Sequence, residues 1–107
     1  MSEIKQMTVQ QLHDLLEEGP VNVLDIRDEA SYDAGHVPNA VPLSRTPVEQ
    51  CLEKFEKDKT LVVCCYHGIS SIEAAMFFSQ QGFKDVHSLM GGYEAWHRNY
   101  SEDDFLE

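Results

Sequence analysis

Apolar and polar positions alternate along the chain in two periods, one typical of helices and one typical of strands. The predicted helices cover residues 9–18, 47–56, 70–81 and 93–100, with a short helical turn over 27–35. The predicted strands or extended segments cover residues 21–26, 36–43, 60–64 and 86–89. Strands that alternate with helices in this way predict an α/β fold, with a parallel sheet covered by helices on both faces.

Two helix starts carry a capping signature. Thr8 is followed three residues later by Gln11, and Thr46 is followed three residues later by Glu49. In such a pair the first side chain binds the backbone N–H of the third helical residue, and the second side chain binds back. Pro47 at the first helical position strengthens the second prediction.

Length and charge limit the number of domains and the classes of partner. The 107 residues carry a net charge of −11, and they predict a single domain over residues 1–107 with an acidic tail over 101–107. A field of this sign repels nucleic acids and anionic membrane surfaces, so neither is an expected partner. No apolar run approaches the ~20 residues that span a bilayer, and the N-terminus shows no export pattern.

The three cysteines are Cys51, Cys64 and Cys65. Their odd number and the adjacency of two of them argue against a disulfide framework. Unpaired thiols without an export signal predict a cytoplasmic protein.

The stretch VVCCYHGISS, residues 62–71, places two cysteines where an apolar strand gives way to a small polar loop. Ligand sites of parallel sheets lie beyond the carboxyl ends of the strands, which is where this loop falls. Backbone N–H groups of residues 66–71, curling into the next helix, would lower the pKa of a thiol. Alternation turns Cys64 towards the core and leaves Cys65 as the candidate nucleophile, and Cys51 is better explained by packing or by a surface position than by chemistry.

Three segments together resemble the rhodanese superfamily: VNVLDIRDEASYDAGHVPNAVPL, VVCCYHGISS and GGYEAW. They occur in the family's order and account for nearly the whole chain. The loop with the pattern CYHG-x-SS is similar to that of single-domain, GlpE-type thiosulfate sulfurtransferases. The resemblance implies a central five-stranded parallel sheet, with Cys65 as the sulfur-carrying nucleophile.

The resemblance also implies a mechanism, that of a thiosulfate:cyanide sulfurtransferase. The loop from Cys65 to Ser70 would form a cradle for a persulfide or an anionic substrate. Cys65 would take a sulfur atom from thiosulfate in a ping-pong reaction and pass it to cyanide, a thiol or a thioredoxin-like dithiol protein. No metal or organic cofactor is expected.

Each loop residue also has a simpler interpretation. His67 either favours an anion when protonated or caps the loop, and Gly68 is expected to adopt backbone angles that other residues resist. Ser70 and Ser71 either donate a hydroxyl to sulfur or cap the following helix. The substrate-binding loop predicted from the sequence comprises Tyr66, His67, Gly68, Ile69, Ser70 and Ser71.

Polar residues outside the loop are expected to be structural. Asp25 and Arg27 should pair with each other or with nearby loop backbone. His36 should hydrogen-bond a neighbouring backbone group. Trp96, with Tyr93, should anchor the last helix on the core.

The loop departs from the GlpE-type pattern at two positions. Ile69 stands where that pattern has a polar residue, and Ile72 stands where it has a lysine. Without a lysine, the entrance to the loop is expected to bind a dianion such as thiosulfate more weakly. A persulfide carried by a protein or by an organic thiol therefore becomes an alternative donor.

Three rival functions remain open at this point. Related cysteine phosphatases carry an arginine six positions after the cysteine, where this chain has Ser71. A non-catalytic rhodanese-like binding module would usually lack the nucleophile. A metal site built from Cys64, Cys65 and His67 would need a fourth ligand and an awkward pair of adjacent thiolates.

Overall fold

Five parallel strands form one sheet in the computed structural model, which describes residues 4–100. The strands are β1 (Lys5–Met7), β2 (Asn22–Asp25), β3 (Ala40–Pro42), β4 (Thr60–Cys64) and β5 (Asp85–Leu89). The helices are α1 (Val9–Glu18), α2 (Glu29–Ala34), α3 (Val48–Lys54), α4 (Ser70–Gln80) and α5 (Gly92–Asn99). The predicted acidic tail, 101–107, lies outside the described residues.

The strands stand in the order β1-β5-β4-β2-β3, and every neighbouring pair is parallel. This confirms the predicted sheet. Strand β1 was not predicted, because three residues at a sheet edge carry no apolar run that could reveal them.

Side chains alternate between the two faces of the sheet, and each face has its own apolar core. Val62 packs in one core with Leu12 of α1 and Trp96 of α5. Val63, one residue on, packs in the other core with Phe78 of α4 and Phe55, which follows α3. The central strands β2 and β4 are thus covered on both faces, as their continuous apolar sequence predicts.

The first helix starts as predicted. Thr8 accepts from the backbone N–H of Gln11, and the Gln11 side chain accepts from the backbone N–H of Thr8. The predicted capping box at Thr46 is wrong: Pro47 is the capping residue of α3, and no side chain caps that end. The Thr46 N–H bonds back to the Leu43 carbonyl in a turn, which moves the helix boundary one residue further on.

The polar residues expected to be structural are so placed. Arg27 and Asp25 form a buried pair, with Nη2 2.7 Å from Oδ2, and Arg27 also donates to the Gly35 carbonyl. His36 bonds the Tyr32 carbonyl through Nδ1 at 2.8 Å. Trp96 is almost fully buried against α1, which confirms its anchoring role.

None of the helices within residues 4–100 combines the length and the apolar character needed to cross a bilayer.

Candidate active site

Cys65 lies directly after β4, at the carboxyl edge of the sheet. It lines a cavity of about 400 Å³ together with loop residues and with residues that follow β2. The other lining residues are Ile26, Arg27, Asp28, Tyr66, His67, Ile69 and Ser70. A cavity of about 490 Å³ lies at the opposite edge of the sheet, beside Val21 and Thr60, and far from this cysteine.

Three hydrogen-bond donors converge on the Cys65 sulfur. The backbone N–H of Gly68 lies 3.1 Å from Sγ, and that of Ser71 lies 3.2 Å from it. The Ser71 hydroxyl oxygen is also 3.2 Å from Sγ; it accepts from the Cys65 thiol and can donate to the thiolate. The loop therefore presents its donors, and not its carbonyls, to the sulfur.

These donors lower the pKa of the Cys65 thiol and thereby oppose the effect of its burial. Burial, the largest single influence, raises the pKa of Cys65, and the hydrogen bonds from Ser71 and Gly68 lower it. Together they leave the pKa below its ordinary value, because each bond stabilises the thiolate more than the thiol. The activation expected from the sequence is therefore present without a cationic partner.

The cradle depends on two glycines with left-handed backbone. Gly68 has φ of +87°, and a Cβ there would lie 2.7 Å from the Gly91 nitrogen. Gly92 has φ of +63°, and a Cβ there would lie 2.5 Å from the Cys65 carbonyl oxygen. No other residue type fits either position without moving backbone.

The close approach at Gly92 lets the start of α5 bind the carbonyls of the loop. The Tyr93 N–H donates to the Cys65 carbonyl at 2.7 Å, and the Glu94 N–H donates to the Tyr66 carbonyl at 3.0 Å. These bonds also satisfy donors that a helix leaves unpaired at its first turn. The segment GGYEAW thus holds the loop in place through backbone hydrogen bonds.

Tyr66 crosses from the loop to the start of α2. Its hydroxyl donates to Asp28 Oδ1 at 2.5 Å and also contacts the Ser31 hydroxyl. The bonds from Tyr66 and Ser31 lower the pKa of Asp28 to about 2, so a carboxylate stands at one side of the cavity.

The remaining loop residues lie on the surface. His67 is exposed, with Nδ1 3.2 Å from Glu94 Oε1, and Ser70 is exposed at the first position of α4. Ile69 has 74% of its surface exposed beside the cavity.

The other two cysteines belong to the cores, as predicted. Cys64 and Cys51 are fully buried on opposite faces of the sheet. Burial raises the pKa of both, very strongly at Cys64, where the carboxylate of Asp25 adds to the effect.

Of the two interpretations of the serines, capping of α4 is wrong. Neither Ser70 nor Ser71 caps α4: Ile69 is the capping residue, and no side chain caps that end. The Ser71 hydroxyl instead bonds the Cys65 sulfur and, at 2.6 Å, the hydroxyl of Ser88. Ser88 was missed, because a single serine in the short strand β5 carries no sequence signal of a role in a distant loop.

The cavity has no unpaired cation among its described lining residues. Arg27 is the one arginine or lysine in the lining, and its guanidinium is held by Asp25 while also lying 4.1 Å from the centre of the Tyr93 ring. An anion that enters the cavity must therefore be bound by backbone and hydroxyl donors.

The donor atoms of Cys64, Cys65 and His67 do not converge as metal ligands. Within residues 4–100, the one set of three such side chains with mutually close ligand atoms is His13, Asp14 and Glu17 on the surface of α1.

Comparison with known proteins decides the family. The model of the Rhodanese-like domain matches residues 8–99. The chain belongs to the rhodanese-like domain family. This rhodanese-like domain is 43% identical over 97 residues to the thiosulfate sulfurtransferase GlpE of Shewanella oneidensis, covering 91% of this chain and 96% of that protein.

Further relatives agree with this assignment. The thiosulfate sulfurtransferase GlpE of Coxiella burnetii is 38% identical over 100 residues, with 94% of each chain covered. The crystal structure of a rhodanese-like domain protein from Staphylococcus aureus superposes with a TM-score of 0.75 at 28% identity, covering 87% of this chain and 91% of that one. The resemblance inferred from the three sequence segments is confirmed.

The loop of this rhodanese-like domain differs from a phosphatase loop at the decisive position. Ser71 lies six residues after Cys65, is fully buried, and directs its N–H and hydroxyl at the sulfur. A phosphate-gripping arginine fork is absent from the loop 65–71.

Proposed function

We propose that this domain is a sulfurtransferase in which Cys65 carries the sulfur. The observation that supports the proposal most directly is the convergence of the Gly68 N–H, the Ser71 N–H and the Ser71 hydroxyl on one thiol. The curated relatives named thiosulfate sulfurtransferase, which this chain matches over nearly its full length, support the same reaction.

In the first step the Cys65 thiolate attacks the outer sulfur of thiosulfate. The sulfur–sulfur bond of thiosulfate breaks, its electron pair leaves with sulfite, and a new bond joins Sγ to the transferred sulfur. The product is a persulfide anion on Cys65, and no proton or external electron is needed. A thiolate is required because the neutral thiol is a poor nucleophile.

In the second step an acceptor attacks the outer sulfur of the persulfide. Cyanide forms thiocyanate, and a thiolate forms a new persulfide, and either reaction returns Cys65 as a thiolate. We propose cyanide as the assay acceptor and low-molecular-weight thiols or a thioredoxin-like dithiol protein as natural acceptors.

Charge near the cavity makes thiosulfate a weakly bound donor in this proposal. Asp28 is ionised at one side of the cavity, Arg27 is neutralised by Asp25, and Ile69 offers no charge. We therefore expect a high KM for thiosulfate and faster loading by a persulfide carried on a protein or an organic thiol.

The proposal also includes the cellular location of the protein and the number of its domains. All three cysteines are unpaired, which supports a reducing, cytoplasmic location. The family model reaches from residue 8 to residue 99 of the 107, which supports one domain for the chain.

The test is the intact mass of the reduced protein before and after thiosulfate, followed by cyanide. We expect the wild type to gain one sulfur atom and to lose it to cyanide as thiocyanate. Cys65→Ser should gain none, and Cys64→Ser, the matched control, should gain one. If neither thiosulfate nor an organic persulfide adds sulfur to the wild type, the transferase proposal fails and a binding module takes its place.

A further inference from the structure

Ser88 stands behind the proposed nucleophile and reaches it only through Ser71. Its hydroxyl oxygen lies 2.6 Å from Ser71 Oγ, which in turn lies 3.2 Å from Cys65 Sγ. Both serines are fully buried, and Cys65 is 5% exposed. Within residues 4–100 the Ser88 side chain has no other hydrogen-bond partner.

The direction of the hydroxyl protons in this row of three atoms depends on the state of the sulfur. With a thiolate, Ser88 donates to Ser71 and Ser71 donates to sulfur, so both protons have acceptors. With a thiol, the row holds three protons and two contacts, so one buried donor is left without an acceptor. Such a donor is unfavourable because it has lost its bonds to water.

The persulfide has the same proton arrangement as the thiolate. Sγ then carries sulfur in place of a proton, and the two hydroxyl protons keep their acceptors. The row therefore needs no rearrangement between the two states of the catalytic cycle.

We propose that Ser88 is a positioning residue that directs the Ser71 hydroxyl proton onto the Cys65 sulfur. This inference rests on the proposed function, and it extends the site to β5, which no loop motif contains. Ser88 acts through Ser71, so it matters only while the Ser71 hydroxyl is present.

Other titratable groups surround Cys65 and stay unchanged in the test. They are Cys64 of β4, Asp25 and Arg27 at the end of β2, Asp28 before α2, Tyr66 and His67 of the loop, and Glu94 of α5.

The test is the pH dependence of iodoacetamide alkylation at Cys65, followed by peptide mass analysis so that the three cysteines are separated. Ser88→Ala should raise the pKa of Cys65 by about 0.5 to 1 unit, the size expected for one hydrogen bond. Ser71→Ala should raise it at least as much. The double variant should match Ser71→Ala alone, because the effect of Ser88 passes through Ser71.

Two controls separate positioning from general damage. Ser88→Thr keeps the hydroxyl and should restore the wild-type pKa. Thr60→Val removes a hydroxyl from β4 that bonds Asp85, far from the cradle, and should leave the Cys65 pKa unchanged. An unchanged pKa in folded Ser88→Ala, or shifts that add in the double variant, would overturn the inference. Alkylation does not require sulfur transfer, so this result is independent of the proposed function.

A second observation concerns the distribution of charge. All five lysines lie towards the amino ends of the strands: Lys5, Lys54, Lys57, Lys59 and Lys84. At the carboxyl edge, where the loop lies, each of helices α2 to α5 instead has an acidic residue in its first turn. Arginines near that edge are paired, Arg45 with Glu29 and Asp33, and Arg98 with Glu94.

Exposed apolar side chains lie near these acidic first turns, at the carboxyl edge of the sheet. Ile69 is 74% exposed, and Tyr66 and Met90 are each nearly half exposed. Met90 adjoins Gly91, whose nitrogen closely approaches Gly68 of the cradle. Asp28, Glu49 and Glu73 at this edge have no ion pair within residues 4–100. Apolar contacts around the sulfur, beside these unpaired acidic residues, match a protein surface of the opposite charge.

We infer that the sulfur partner of this domain is a protein whose reactive cysteine lies in a basic, partly apolar surface. The proposed function is assumed, and the inference names the class of partner for that same site. Complementary charge raises the rate of encounter more than it raises affinity, so rates are the quantity to measure.

The probes are two synthetic cysteine peptides of identical length, one rich in lysine and one rich in glutamate, offered as acceptors to the Cys65 persulfide. At low ionic strength the lysine peptide should accept sulfur roughly tenfold faster, and added salt should reduce the difference. Glu73→Lys should narrow the difference, because Glu73 is exposed at the start of α4 and has no ion pair within residues 4–100. The matched variant Glu56→Lys, which lies far from the loop, should leave the rate difference between the two peptides unchanged.

The apolar contribution is tested with Ile69→Ser. It should slow transfer to both peptides more than it slows transfer to 2-mercaptoethanol, a neutral small thiol. Equal rates for the two peptides, or equal effects of Glu73→Lys and Glu56→Lys, would overturn the inference. If no persulfide forms at all, the proposed function itself has failed.

Discussion

Cys64 and Cys65 are neighbours in the chain and expose little surface, yet Cys64 lies deeper in the protein and the surroundings of the two sulfur atoms differ in kind. Cys64 ends β4 inside an apolar core, near a carboxylate, and its pKa is raised. Cys65 begins a loop whose backbone and serine hydroxyl donate to its sulfur, and its pKa is lowered. Low surface exposure alone therefore does not decide whether a thiol is reactive; the depth of burial and the donors around the sulfur do.

The largest expected effect is the difference in sulfur loading between the substitutions of the two cysteines. Cys65→Ala should abolish sulfur loading entirely, because no other thiol lies in the cradle. Cys64→Ala should load normally and lose about 1 kcal/mol of unfolding free energy from the small cavity in the core. Intact mass after an organic persulfide measures the first quantity, and urea unfolding measures the second. Normal loading of Cys65→Ala would contradict the assignment.

The second largest effect is expected from a substitution that distorts the cradle and leaves both cysteines in place. In Gly92→Ala the new Cβ would lie 2.5 Å from the Cys65 carbonyl, so the loop must move away from α5. We expect sulfur loading to fall at least tenfold, with a loss of about 1–3 kcal/mol in unfolding free energy.

Gly19→Ala is the matched control, because Gly19 is extended and a Cβ there meets nothing within 4 Å. Its loading rate should equal that of the wild type. Equal loading by Gly92→Ala would show that the close approach of α5 does not shape the cradle.

A buried ion pair holds the strand end beside both cysteines. Arg27→Met leaves the Asp25 carboxylate buried and unpaired, and it should cost roughly 3–5 kcal/mol of unfolding free energy. Arg45→Met breaks exposed pairs with Glu29 and Asp33 and should cost far less, because water screens such pairs. Urea unfolding of the two variants side by side gives the comparison. Similar losses would mean that the Asp25–Arg27 pair is not isolated from water.

The smallest effects concern the pH dependence of stability, which should have opposite signs at the two cysteines. The folded pKa of Cys65 is below the ordinary value of 9.0, so the unfolded chain binds more protons between the two values. Its stabilising contribution is complete above the unfolded pKa and is lost as pH falls through the folded pKa. At Cys64 the folded pKa is raised, so stability falls as pH rises above 9.0.

The measurement is the unfolding free energy of wild type, Cys65→Ala and Cys64→Ala between pH 7 and about pH 10. The difference between wild type and Cys65→Ala should increase with pH in favour of the wild type. The difference from Cys64→Ala should decrease above pH 9.0. Parallel curves for all three proteins would mean that the two thiols do not differ in the folded state.

The sequence predicts the fold and the nucleophile because their signals are local. Continuous apolar strands, the capping box at Thr8 and the segment VVCCYHGISS each lie within a few residues. Strand β1 is too short to have a pattern, and the start of α3 depends on a turn that a capping signature does not describe.

The parts of the site that could not be predicted depend on contacts between distant segments. Ser71 fits a helix-capping pattern equally well, and only the packing of α4 against β4 and β5 turns its hydroxyl towards sulfur. Ser88 lies 17 positions from Ser71, and Gly92 approaches Cys65 from another helix. Paired glycines indicate a turn, but they do not indicate which backbone the turn will touch.

The most direct test of the central claim is the pH profile of alkylation at Cys64 and Cys65 in one sample of folded protein, read by peptide mass analysis. The account predicts that Cys65 is modified with a midpoint below 9.0, while Cys64 stays unmodified across the range in which the protein is folded. A midpoint for Cys65 at or above 9.0 would contradict it, because the donors of the loop would then fail to outweigh burial.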